Sequence, residues 1–263
     1  MYRRGVIGLK DINNGSYYMT NNKLCIFTTY LSYGLDPQRH IAYPKNLEPI
    51  FYSLMIGCIQ NNIDLFIFHD NSVSNHVQSN ITRNNKNIHF ISTSPNKTNL
   101  SNNDFRFKTY LNNFHLAKNF THILFTDAGD VYVRKNPIDT MDSSTLYICQ
   151  EIDKSFSDFN KHYSKQLGTV QSVSNLDINY YISKPSTPLN AGAWGGRIEL
   201  IHDFLKEYVH LMENISSSTP KINCNNLLLN IMLKTKNIPV DSSIFSPFKR
   251  YAFVDDSFYI YHK

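Results

Sequence analysis

An α/β fold with a mostly parallel central sheet is the class that this sequence predicts. Short apolar runs alternate with stretches whose apolar residues recur at helical spacing. Several runs end in hydroxyl or acidic residues, and one, at 123–125, is followed by two carboxylates, Asp127 and Asp130. Alternating strands and helices build a sheet covered by helices on both faces, a three-layer sandwich.

The elements follow in order. Residues 23–30 form a continuous apolar run that ends in Thr28, Thr29 and Tyr30, the pattern of a buried strand. Residues 48–62 place Ile50, Phe51, Leu54, Met55, Cys58 and Ile59 at helical spacing. A second buried strand runs over 64–70 and ends in Asp70, and a third lies within 87–94. Residues 104–120 predict an amphipathic helix buried through Phe107, Tyr110, Leu111 and Phe114. The 123–125 strand follows, then another at 146–151 that ends in Glu151. Residues 153–187 are polar and predict a long excursion, and 189–196 predict a turn of small residues. Helices are expected over 198–215 and 223–234, and a strand-like end over 252–263. No internal repeat or linker interrupts this order. The expectation is a polar leader, 1–22, and one domain, 23–263, with a nucleotide-binding half at about 23–135 and a sugar and acceptor half at about 136–263.

Composition narrows the function. The chain has 263 residues and a net charge of +5, a mildly basic balance that suits an anionic small molecule. No Lys/Arg stripe, zinc-finger spacing or RNP-like motif is present, which argues against nucleic-acid binding. No run approaches the roughly 18 apolar residues of a membrane span. Cys25, Cys58, Cys149 and Cys224 form no C-x-x-C pair, so they read as reduced thiols in a cytoplasmic protein. A lumenal domain of the secretory pathway is the alternative.

The acids after 123–125 carry the chemistry. An ionised carboxylate at the end of a buried strand costs several kcal/mol to desolvate without a partner, and a hard divalent cation is such a partner. Open α/β sheets bind ligands beyond the carboxyl ends of their strands. Thr28, Thr29, Tyr30, Asp70, Asp127 and Asp130 all fall there. Tyr30 would stack on a base and Asp70 would reach a base or ribose; the alternative reading of each is plain strand-end capping.

The segment Phe125-Thr126-Asp127-Ala128-Gly129-Asp130-Val131, with Asn136-Pro137 after it, resembles the metal-binding segment of GT-A-fold glycosyltransferases, in its Asp-x-x-Asp variant. Three further segments fit in order. Asp104-x-Arg106-Phe107 resembles the helix whose basic residue faces the nucleotide sugar. The segment from Asn190 through Gly192 and Trp194 to Gly196 resembles the Asn-x-Gly sugar-pocket segment of glycogenin-like enzymes. Tyr261-His262-Lys263 resembles their terminal metal-binding His with a phosphate-binding Lys. The chain departs from the pattern at 223–226, where Asn223, Cys224, Asn225 and Asn226 stand in place of an acid.

The resemblance implies a GT-A-like, Rossmann-type sandwich and a glycosyltransferase of nucleotide-diphosphate sugars acting on a glycan acceptor. It implies Mn²⁺ or Mg²⁺ on Asp127, Asp130 and His262, with Arg106 and Lys263 on the diphosphate. Asn190 and Gly192 would contact the sugar, and Trp194 would stack on a sugar face, with a plain core position as its alternative reading. Glu151 and Asp256 are the carboxylates expected to act as general base. A catalytically inactive binding protein with the same fold is the rival expectation.

Overall fold

A computed structural model describes residues 22–32, 48–94, 98–248 and 257–262. Of the sequence-based expectations, those on residues 1–21, Asp256 and Lys263 lie outside them.

The strands expected at 23–30, 64–70, 87–94, 123–125 and 146–151 form as β1 (Leu24–Tyr30), β2 (Asp64–His69), β3 (Ile88–Ser92), β4 (His122–Thr126) and β6 (Leu146–Gln150). With β7 (Leu189–Arg197) and β8 (Val240–Asp241) they make a seven-stranded sheet ordered β3-β2-β1-β4-β7-β6-β8. The pairs β3–β2, β2–β1, β1–β4 and β6–β8 are parallel, whereas β7 runs antiparallel to β4 and β6. A separate antiparallel pair joins β5 (Val131–Val133) to β9 (Ile260–His262).

Two apolar cores cover the two sheet faces, as the period of two along β1 requires. Cys25 and Phe27 face one core, with Phe68, Phe125 and Trp194 from neighbouring strands. Helices α3 (Asn102–Asn112), α7 (Ile198–Ser218) and α8 (Asn225–Thr235) pack there. Leu24 and Ile26 face the other core, closed by α1 (Tyr52–Gln60) and the small β5–β9 sheet. The α/β class and the largely parallel sheet therefore hold. All four cysteines are free and buried, and burial pushes their thiols up. Among the described residues no helix is long and apolar enough to cross a membrane.

Three elements differ from expectation. The helix expected over 104–120 ends at Asn112 and gives way to a 3₁₀ turn, Phe114–Ala117. The polar excursion holds α4 (Phe156–His162), α5 (Ser164–Val173) and α6 (Ile178–Ser183). The small-residue "turn" at 189–196 is the nine-residue strand β7. Its glycines serve close packing: a Cβ on Gly195 would lie 2.0 Å from the Ile123 carbonyl oxygen. One further helix, α2 (Asn75–Asn84), stands outside the expected elements; it buries none of its residues fully, and its short apolar face, Val77 and Ile81, packs half-buried against the second core.

Candidate active site

Strands β1, β4, β6 and β9 arrive at the site with their carboxyl ends, whereas β5 and β7 start there. Ile148 pairs with Trp194, but Cys149 pairs with Asn190, so Ala191, Gly192 and Ala193 bulge from the β6 ladder. Bulges of this kind re-aim backbone beside functional sites. Here the bulge brings Gly192 against the end of β4, where the Asp127 N–H donates to the Gly192 carbonyl at 2.7 Å.

Asp127 is the hub. The Arg106 guanidinium on α3 donates through Nη1 to Asp127 Oδ1 and through Nη2 to the Ala191 carbonyl at 3.1 Å. Burial alone would push the Asp127 carboxyl up; Arg106, with His262 behind it, overcomes that and lowers it to about 2. Although set deep in the fold, the Asp127 side chain keeps 32% of its surface open, toward the cavity described below.

The second oxygen, Oδ2, faces His262 Nε2 at 3.6 Å, too long for a hydrogen bond. His262 is fully buried, and among the described residues neither ring nitrogen has a hydrogen-bond partner. It is delivered by β9, whose pairing sets His262 opposite Val131, next to Asp130. A Cβ on Gly192 would lie 2.5 Å from Asp127 Oδ2, 2.5 Å from His262 Cε1 and 2.8 Å from Asn190 Oδ1. Only glycine fits among those three groups.

Arg106, Asp127, Asn190 and Gly192 border a cavity of about 650 Å³, with His262 buried behind Asp127 and not in its lining. The cavity is lined by Arg106, Asp127 and Asp130, by Thr29 and Tyr30 from β1, and by Glu151, Asn190, Asn225 and Asn226. Glu151 is 2% exposed, pairs with Lys154 at 2.7 Å and accepts from Asn190 Nδ2 at 3.4 Å. Asn190 Oδ1 accepts in turn from the Gly192 N–H at 2.7 Å.

Two donors fit a cation. Two atoms 3.6 Å apart can share an ion at the usual bond lengths of about 2.0–2.2 Å, and the orphaned, buried His262 nitrogens are what such a role requires. The third expected ligand, Asp130, lines the same cavity. Among the described residues, however, no three His, Cys, Asp or Glu side chains converge closely enough to form a metal cluster.

Several expected site residues are placed elsewhere. Trp194 is a core residue with 0% exposure, its ring packed on Phe125 and Phe204, and has no open face for a sugar. Thr28 is fully buried and donates to the Thr126 carbonyl at 2.9 Å, tying β1 to β4. Asp70 is not among the cavity-lining residues; its carboxylate accepts from the Ser32 N–H at 2.9 and 3.0 Å. Tyr30 lines the cavity, but its ring packs edge-on against Phe51 at 6.0 Å. The N-terminus of α7 lies away from the site, because Arg197 pairs with His122 at the far end of β4.

Two site features escaped the sequence. Asn226 Oδ1 accepts from the Ala191 N–H at 2.7 Å, and its Nδ2 donates to the Tyr163 hydroxyl at 3.2 Å. Asn230 bonds both backbone groups of Leu189, its Oδ1 accepting at 2.9 Å and its Nδ2 donating at 2.8 Å. These carboxamides imitate peptide groups along the part of β7 that runs past β4. Compared with known proteins, the chain matches no family model and no curated protein sequence.

Proposed function

We propose that this chain is a metal-dependent glycosyltransferase of the GT-A fold, moving a sugar from a nucleotide-diphosphate sugar to an acceptor hydroxyl on a glycan. The observation that carries the reading is the meeting of Asp127 with Arg106 on one oxygen and His262 near the other, beside Gly192 at the carboxyl end of β4, where Asp127 and Arg106 line one cavity with Asp130. Asp127 and His262 would hold the cation, with Asp130 lining the same cavity, and an imidazole beside a carboxylate favours Mn²⁺ over Mg²⁺. When bound, it supplies charge neutralisation at the diphosphate as the glycosidic bond breaks.

The chain's own residues do the rest. The glycosidic C–O electrons leave with the diphosphate, and Arg106 adds a charge-assisted hydrogen bond there. Lys154 pairs with Glu151, and Glu151 takes the acceptor hydroxyl proton as the new C–O bond forms, if the course is inverting. Asn190 and Gly192 face the sugar.

The test is turnover of nucleotide sugars with a mixed glycan acceptor and Mn²⁺. Activity is expected, with loss on adding EDTA and in Asp130→Ala; full activity in EDTA would refute the metal role. One observation favours a second reading, a nucleotide-sugar-binding protein without transfer: Arg106 already occupies one Asp127 oxygen. Calorimetric binding with no transfer or hydrolysis would establish that reading instead.

A further inference from the structure

Asp104 lies outside the cavity lining, yet its carboxylate closes a ring of contacts around it. It sits in the first turn of α3 with 0% exposure. Its Oδ1 accepts from the Asn225 N–H at 3.1 Å and its Oδ2 from the Cys224 N–H at 3.3 Å. Those donors open α8, whose own N-cap, Cys224, offers no side-chain hydrogen bond. The cap is thus delivered from another helix, 121 residues away in sequence from Asn225. From α8 the path continues through Asn226 to the Ala191 N–H, and through the Ala191 carbonyl to Arg106 Nη2. Arg106 is two residues along α3 from Asp104 and holds Asp127.

We propose that Asp104 is a positioning residue: by fixing the first turn of α8 it fixes Asn225 and Asn226 in the cavity wall and, through Asn226, the Ala191 peptide that aligns Arg106 on Asp127.

A cap serving stability alone would be cheaper. An Asn or Ser at position 224 would satisfy the same end of α8 without burying a charge. Burial pushes the Asp104 carboxyl up to about 6, against the Cys224 and Asn225 N–H donors and Arg106. The remaining titratable groups that face it are Cys224, Tyr163 and Tyr208. At neutral pH the fold therefore carries an ionised carboxylate at a cost, as sites that need rigid placement do.

The first test does not depend on glycosyl transfer. Amide hydrogen exchange is measured on the full chain, wild type against Asp104→Asn and Asn226→Ala. A carboxamide offers one acceptor where the carboxylate offers two. Asp104→Asn is expected to speed exchange at Cys224, Asn225 and Ala191 by roughly tenfold, leaving mid-sheet Phe27 and Leu65 unchanged. Equal acceleration everywhere would make Asp104 a stabilising cap only and overturn the proposal. Asn226→Ala leaves the Asp104 contacts in place and decides the matter should Asp104→Asn not fold. It is expected to free the Ala191 amide but not Cys224 or Asn225; an Ala191 amide still protected there overturns the relay.

The second test rests on the proposed sugar transfer. Each variant is expected to lower kcat by roughly ten- to a hundredfold with a smaller change in KM, and the double variant to be no worse than the poorer single one. Losses that multiply would mean independent roles. A chain with no transferase activity would refute the proposed function while leaving the exchange result to stand for Asp104.

Discussion

Asp127 Oδ2 and His262 Nε2 lie 3.6 Å apart, and both crowd the point where a side chain on Gly192 would begin. The two groups come from β4 and β9, separated by most of the second half of the chain, and they meet because β9 pairs with β5 directly after the Asp127–Asp130 turn. A methyl on Gly192 must displace at least one of them. Gly192→Ala is expected to cost about 1–3 kcal/mol of stability, the usual range for overpacking. It should weaken Mn²⁺ binding disproportionately. Denaturant unfolding and Mn²⁺ titration check this; an unchanged Mn²⁺ affinity would separate Gly192 from the ligand pair.

Arg106 and Asp127 depend on each other. Asp127→Asn leaves a nearly buried guanidinium facing a neutral partner. The expected cost is on the order of 2–3 kcal/mol, less than for a fully buried pair because Asp127 keeps a third of its surface open. Arg106→Lys should not restore the site, since one ammonium cannot span both Asp127 and the Ala191 carbonyl. Urea midpoints of the two variants test both statements.

Asp104 gives the fold a pH signature. Its carboxyl, pushed up to about 6, holds its proton in the folded chain where the unfolded chain has lost it. That contribution to stability is complete below about pH 4 and is lost as pH rises through about 6. Its size is on the order of 3 kcal/mol. Wild type should therefore lose ground to Asp104→Asn between pH 4 and pH 7 in denaturant titrations. A gap that stays constant with pH would contradict this.

Trp194 is the single tryptophan, and it is enclosed by Phe107, Phe125, Phe204 and Tyr208. Its emission should be blue-shifted and indifferent to nucleotide sugars. Trp194→Phe should cost about 1–2 kcal/mol through the space it leaves and should leave ligand affinity unaltered. A ligand-dependent emission change would return Trp194 to the sugar pocket.

The parts of the fold and site that were legible in the sequence are those built from local pattern. The β4 run and its acids stood out because nothing but a partner explains carboxylates after Phe125. Strand β7 reads as a turn because Gly192, Gly195 and Gly196 resemble turn chemistry, whereas the bulge demands Gly192 and the close approach of β4 demands Gly195. Trp194 was misplaced for the same reason: on a strand it points into the aromatic core, and on a turn it would not. Asp104 carries no local signal of its role, and its partners at Cys224 and Asn225 are visible only once the chain is folded.

The most direct test of the central claim is a calorimetric titration of nucleoside diphosphate into the full chain, with Mn²⁺ and with EDTA, in wild type and His262→Ala. The expected result is one saturable site that needs Mn²⁺ and weakens by roughly tenfold or more when His262 is removed. Equal affinity in EDTA, or no effect of losing His262 in a folded variant, would contradict a cation shared by Asp127 and His262.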